Sequence, residues 1–190
     1  MAARKTTPTS AIYQLKITLR GSKPPIWRRV QVPSDMTLGK LHQTIQLAMG
    51  WYDCHLHEFE IHGQAYGQPM PDFDDLEIRS ERNVRLNKVV PGEKFKFYYL
   101  YDMGDSWEHE ILVEKVLPPD PEVRYPTCLK GKRACPPEDC GGIWGYAEFL
   151  EAIQNPKHPE HQSMLEWVGG EFDPEDFDLE ETNRQLKQIR

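Results

Sequence analysis

Tyr13, Leu15, Ile17 and Leu19 alternate with Gln14, Lys16 and Thr18, which is the two-residue period of a half-buried strand. Gly21-Ser22-Lys23-Pro24-Pro25 carries turn chemistry. Ile26, Val30 and Val32 then define one face of a second strand, so the chain opens on a hairpin. Arg28 falls on that apolar face: either its stem lies along the surface with the guanidinium in water, or alternation fails at a bulge. Thr37 is the expected N-cap of a helix with Leu38, Leu41, Ile45 and Ala48/Met49 at helical spacing, stopped by Gly50. That helix must lie on the hairpin.

Leu56–Ile61 reads as a strand, Gly63 to Asp75 as a loop rich in Gly, Pro and Asp, and Val84–Val90 as a short strand or a helical turn. Lys94–Tyr101 and Trp107–Val116 are rich in aromatic and β-branched residues and are joined by Asp102-Met103-Gly104-Asp105-Ser106, which predicts an antiparallel pair. Beyond Leu117, four prolines stiffen a connection to a cysteine-bearing loop, 128–142. Tyr146, Phe149, Leu150 and Ile153 then mark a helix ended by Asn155-Pro156. A short helix is expected around Pro159–Trp167. Asp173-Pro174 has the form of an N-cap with Pro at the first helical position, and Asp178 with Glu181 fits a capping box.

These elements predict an α+β fold: a mainly antiparallel mixed sheet opening with a β-grasp-like ββα unit, helices on one side and a helical C-terminal third. Residues 1–10 read as a flexible polar tail and 11–190 as a single domain. A chain of 190 residues hides roughly 70% of its unfolded surface on folding and needs no disulfide staple.

Charge is distributed unevenly. Residues 1–50 hold eight Lys or Arg against Asp35 alone, whereas residues 51–190 hold fifteen against twenty-nine acids, for a net charge of −7 overall. The two halves attract, either as complementary charge on one folded surface or as a basic face for phosphates, with Lys23, Trp27, Arg28 and Arg29 as the candidate nucleic-acid contacts. The basic N-terminus is followed by no apolar stretch, and the uncharged run Gln43 to Tyr52 is about half of what a membrane span needs. Cytoplasmic residence with reduced thiols and no membrane contact is the expectation.

Three clusters could carry chemistry. Cys128, Cys135 and Cys140 together with His55 offer the soft donors that zinc or another divalent metal takes, although no C-x2-C pair is present and the fourth ligand must come from a distant segment. Trp107 and His109 share a strand face with Ile111 and Val113, and Asp102 or Asp105 from the adjoining turn is placed to accept the His109 proton. Pro136-Pro137-Glu138-Asp139-Cys140-Gly141-Gly142 holds two carboxylates on a loop of restricted shape. There is no P-loop or glycine-rich strand-to-helix turn, and Ser106 and Ser163 lack the G-x-S-x-G setting.

Several separated motifs, in order, resemble the plasmid pRiA4b ORF-3-like proteins. They are Pro25-Ile26-Trp27-Arg28-Arg29, Leu41-His42, Met49-Gly50-Trp51, His55-Leu56-His57-Glu58-Phe59, Tyr101 through His109, Pro136 through Gly142, Trp167 and Phe172 through Phe177. The resemblance implies an α+β fold of this layout, an association with plasmids and mobile elements, and a shared surface around His57, Asp102, Asp105, Trp107, His109, Glu138 and Asp139. The sequence is read as a binding or accessory domain with a protein partner. Two alternatives stand beside it: a metal-assisted hydrolase or nuclease built on those histidines and acids, and a nucleic-acid-binding protein using the basic hairpin.

Overall fold

The computed structural model describes residues 10–69 and 78–189. Strands β1 (Ile12–Leu19) and β2 (Trp27–Pro33) pair antiparallel with Leu15 opposite Val30 and Ile17 opposite Arg28. Helix α1 (Leu38–Met49) follows. The Thr37 hydroxyl accepts from the Lys40 N–H, and Gly50, at φ 106°, closes the last turn through its N–H to the Gln46 carbonyl. The opening hairpin and its helix thus form where the pattern placed them.

The rest of the chain runs β3 (His57–Ile61), β4 (Gln64–Gly67), β5 (Arg79–Ser80), α2 (Leu86–Val89), β6 (Lys96–Tyr101), β7 (Trp107–Leu117), β8 (Thr127–Lys132), α3 (Gly142–Gln154), α4 (His161–Trp167) and α5 (Leu179–Leu186). Eight strands make one sheet in the order β5-β4-β3-β6-β7-β1-β2-β8. Every pairing is antiparallel except β4 with β5. Side chains on one sheet face are buried from end to end: Phe59, Phe97, Tyr99, Tyr101, Trp107, Ile111, Leu15, Ile17 and Val30. Leu38, Leu41 and Ile45 of α1, Tyr146 and Phe149 of α3, and Leu186 of α5 join the same cluster. The opposite face carries Lys16, Arg29, Lys96, Glu108, Glu110 and Glu114, as alternation requires when one side meets water. Among the described residues no helix is long and apolar enough to cross a membrane.

Three local expectations change, and one left open between two forms is settled. Gln64–Gly67 belongs to a hairpin with β3, turned by His62 and Gly63, both at positive φ; residues 70–75 of the expected loop, like 1–9 of the tail, lie outside the described residues. Val84–Val90 resolves as the helical turn α2. Cys128 stands on the edge strand β8, paired through Val30, and not in a loop. Asp173-Pro174 forms a turn, with Asp173 Oδ1 accepting from the Glu175 N–H, and the helix starts at Asp178, which accepts from the Glu181 N–H.

Arg28 meets neither expectation set for it. Alternation holds, and the side chain is buried at 2% exposure. Its Nε donates to the Ala48 carbonyl at 2.7 Å, Nη2 reaches Met49 O at 3.5 Å, and Nη1 donates to the Trp27 and Lys132 carbonyls. The guanidinium lies 4.2 Å from the Phe177 ring centre. A cation at the C-terminus of α1 satisfies carbonyls that the helix leaves open.

Candidate metal centre

The segment after α1 is held residue by residue. Trp51 is buried and its Nε1 donates to the Pro136 carbonyl at 3.1 Å; the Tyr52 N–H donates to Glu138 Oε1 at 2.9 Å; the Cys54 N–H donates to the Tyr101 hydroxyl at 3.0 Å. This path docks the segment against the double-proline loop and the end of β6, and it delivers His55 to three carboxylates.

His55 Nε2 lies 3.2 Å from Asp139 Oδ1, 3.7 Å from Asp102 Oδ2 and 3.9 Å from Glu138 Oε2. Two of these carboxylates are already fixed through their other oxygen. Asp102 Oδ1 accepts from the Gly104 N–H at 2.8 Å, and Glu138 Oε1 accepts from Tyr52 N–H and from the Tyr101 hydroxyl at 3.1 Å. His55 Nε2 and Glu138 Oε2 are buried atoms with no hydrogen-bond partner among the described residues. Buried polar atoms without partners are uncommon and call for an explanation. Asp102 and Asp139 both adopt left-handed backbone, at φ 57° and 56°, a conformation tolerated by Asp but seldom used.

Asp105 sets the loop's position. Its Oδ2 accepts from the Gly141 N–H at 3.1 Å, and its carbonyl oxygen would sit 2.4 Å from a Cβ placed on Gly142, so only glycine allows this approach. The β6–β7 turn and the double-proline loop are thereby locked together, with Asp102 on one and Glu138 and Asp139 on the other.

A second grouping brings His42, Asp53 and His57 within ligand distance of one another. The two imidazoles stack with centres 3.4 Å apart and planes 5° from parallel. This cluster is closed by its own hydrogen bonds. The Asp53 N–H donates to Gln46 Oε1 at 3.0 Å, and Gln46 Nε2 donates to the Tyr99 hydroxyl at 2.9 Å. Tyr99, 2.8 Å from His42 Nδ1, therefore has its own proton free to donate there. His42 then carries its proton on Nε2 and gives it to Asp53 Oδ1 at 2.8 Å. His57 Nε2 pairs with Glu81 at 2.9 Å. Burial, then the neighbouring His57, push the His42 pKa down, which keeps this imidazole neutral. A metal at His42 Nε2 would displace that proton and move it to Nδ1, leaving the Tyr99 hydroxyl without its acceptor. The His55 cluster has two unfilled buried atoms; the His42 cluster has a place for each of these protons.

The sequence-derived surface is therefore divided. Asp102, Glu138 and Asp139 meet, but at His55 and not at His57 or His109. His109 is fully buried, its Nδ1 lies 3.3 Å from the Tyr99 carbonyl and not against Asp102 or Asp105, and burial pushes its pKa down to about 4. Trp107 packs in the core beside Trp51, ring centres 5.9 Å apart. No cysteine joins either His-carboxylate grouping. Cys128, Cys135 and Cys140 are pushed above the ordinary thiol range by burial, Cys140 to about 12. That retains the proton a metal would have to displace.

The basic hairpin is also committed elsewhere. Arg28 is buried, Arg29 makes two bonds to Glu114 at 2.6 and 2.8 Å, and the Trp27 ring is covered by Lys16 and Arg29; Lys23 alone of the four is exposed. Tyr52 and Tyr101 are not among the site residues that the sequence suggests. The available signal was position: Tyr101 ends its strand immediately before Asp102, where a side chain reaches whatever the turn holds.

The family described as Plasmid pRiA4b ORF-3-like protein matches residues 11–181. The chain belongs to this family. A member from Sinorhizobium fredii (strain NBRC 101917 / NGR234), the uncharacterized protein y4hQ, is 37% identical over 181 residues, spanning 95% of this chain and 93% of its own. The crystal structure of protein of unknown function MM3350 from Methanosarcina mazei Go1 superposes with a TM-score of 0.80 at 39% identity, covering 90% of this chain and 96% of that one. The family thus supplies the fold, and the site has to be read from its own geometry.

Proposed function

We propose that this chain binds one divalent cation between His55, Asp102, Glu138 and Asp139 and that the cation is its working part. The observation carrying this reading is that two buried atoms, His55 Nε2 and Glu138 Oε2, make no hydrogen bond although His55 Nε2 lies within 3.2–3.9 Å of three carboxylates. His55 Nε2 stands 3.2–3.9 Å from each carboxylate, and the donors of His55, Asp102 and Asp139 all lie within 4.8 Å of one another, with Glu138 at the border of that group; such spacing suits ligands that share one cation at about 2.0–2.2 Å each. One imidazole with carboxylates suits manganese, iron or zinc over the soft thiolate-preferring metals.

The site belongs to the metal-assisted hydrolase class over a purely structural one. The Asp139 side chain is 71% exposed, so one side of the cluster opens to solvent, and catalytic centres keep such a position whereas structural ones close it. A cation there supplies an acidified water. The protein's own part is to hold the donors: Tyr101 and Tyr52 fix Glu138, Gly104 fixes Asp102, and Asp105 fixes the loop.

The test is calorimetric titration of chelator-treated protein with Mn²⁺ and Zn²⁺. One ion per chain is expected, with His55→Ala and Asp139→Asn each losing more than the ~10–100-fold that changes in outer-shell partners cost. His42→Gln retains binding. Binding lost with His42→Gln and kept with His55→Ala contradicts the assignment.

A further inference from the structure

A groove of about 650 Å³ lies away from these clusters, between the β1–β2 turn and α3. Its lining is net positive in a chain whose net charge is −7. Arg20 is paired with Glu108, which leaves Lys23, exposed, and Arg133, buried, as the other cations of the lining.

Two buried side chains in that lining are incompletely bonded. Arg133 has a side-chain exposure of 6%, and its Nε has no hydrogen-bond partner among the described residues. Glu175, which does not line the groove, holds only Nη1, at 3.1 Å. The Nε edge of a guanidinium is one of its two forks for an oxyanion. Tyr146 is buried as well, and its hydroxyl also lacks a partner; neither this oxygen nor Arg133 Nε is open to solvent, so a ligand reaches them only through a side-chain shift. The Arg133 charge acts on that phenol, while burial pushes it up to about 12, so the hydroxyl remains a donor. Arg133 itself adopts φ 70°, outside the ordinary range of a long side chain.

The outer part of the groove is apolar. Ile143 and Leu150 line it, and Trp144 stands at its edge with 83% exposure. A ring exposed to that degree beside an unfilled cationic base is suited to a planar body carrying an anionic head.

We infer that this groove binds a small organic anion, its oxyanion head on Arg133 and Tyr146 and its planar apolar body against Trp144. Phosphate monoesters and carboxylates share the head chemistry. Nothing in this inference depends on the cation at His55.

The experiment titrates the full chain, in EDTA, with phenyl phosphate and with benzoate by calorimetry. Inorganic phosphate and phenol are titrated separately as head alone and body alone. One of the two complete anions is expected to bind with 1:1 stoichiometry, at least tenfold tighter than either fragment, and the tighter of the two identifies the head. Arg133→Gln is expected to lose at least about tenfold, the scale of a charge-assisted bond. Trp144→Ala, at an exposed position that does not put folding at risk, is expected to weaken binding several-fold. Absence of saturable heat with both anions at millimolar concentration overturns the inference. So does affinity unchanged by Trp144→Ala, which decides the matter if Arg133→Gln fails to fold.

Discussion

Burial holds the His109 pKa at about 4 in the folded chain, against an ordinary value of 6.5. The unfolded chain therefore takes up the proton first as pH falls. Stability drops between pH 6.5 and 4 and the loss is constant below that, costing about 3 kcal/mol in full. His109→Leu is expected to remove this part of the slope, measured by urea unfolding at several pH values; equal slopes in the two proteins would contradict it. Glu138 makes a second case. Its Oε2 is buried 3.9 Å from His55 Nε2 without a hydrogen bond, so Glu138→Gln is expected to raise the melting temperature in EDTA, by about 1 kcal/mol of stability, while abolishing any metal-induced rise. Differential scanning calorimetry with and without Mn²⁺ reads both effects. The acids of this site were legible in the sequence because turns and rigid loops display their carboxylates. Their convergence on His55 was not, because it depends on three segments, near residues 55, 102 and 138, whose approach no local pattern encodes.

Asn183 of α5 makes a structural link between elements. Its Oδ1 accepts from the Cys128 N–H at 2.7 Å and from the Thr127 hydroxyl at 3.1 Å, and its Nδ2 donates to the Cys128 carbonyl at 2.9 Å. One side-chain amide thus stands in for a neighbouring strand along the edge of β8, where unpaired backbone would otherwise face outward. Asn183→Ala is expected to cost about 1–3 kcal/mol and to speed hydrogen exchange at the Cys128 amide. Unchanged exchange there would mean that the edge is covered some other way. Strand β8 itself, Thr-Cys-Leu-Lys-Gly-Lys, escapes sequence reading because only Cys128 in it is buried, and β4 escapes because four residues hold too few alternations. The elements whose buried positions keep a regular spacing, α1, β6 and β7, announce themselves by period.

Across the whole molecule, two of the eight cations in the first 50 residues are matched by acids of one neighbouring strand. Arg20 pairs with Glu108 and Arg29 with Glu114, each joining a cation from the opening hairpin to an acid of β7. The Arg29 contact also holds the Glu114 carboxyl below the ordinary range. Complementary charge on one surface was among the readings open from composition, and the β1–β7 pairing brings it about. The same compactness brings the double-proline loop, the β6–β7 turn and the segment after α1 to one place, and this meeting forms the proposed metal centre. Occupancy at one hundred times the dissociation constant is expected to stabilise the fold by about 2.7 kcal/mol.

The most direct measurement is anomalous diffraction from crystals of the protein soaked in Mn²⁺. The account predicts one strong peak within about 2.0–2.3 Å of His55 Nε2, bounded by Asp102, Glu138 and Asp139. A peak between His42 and His57, or none at saturating manganese, would contradict it.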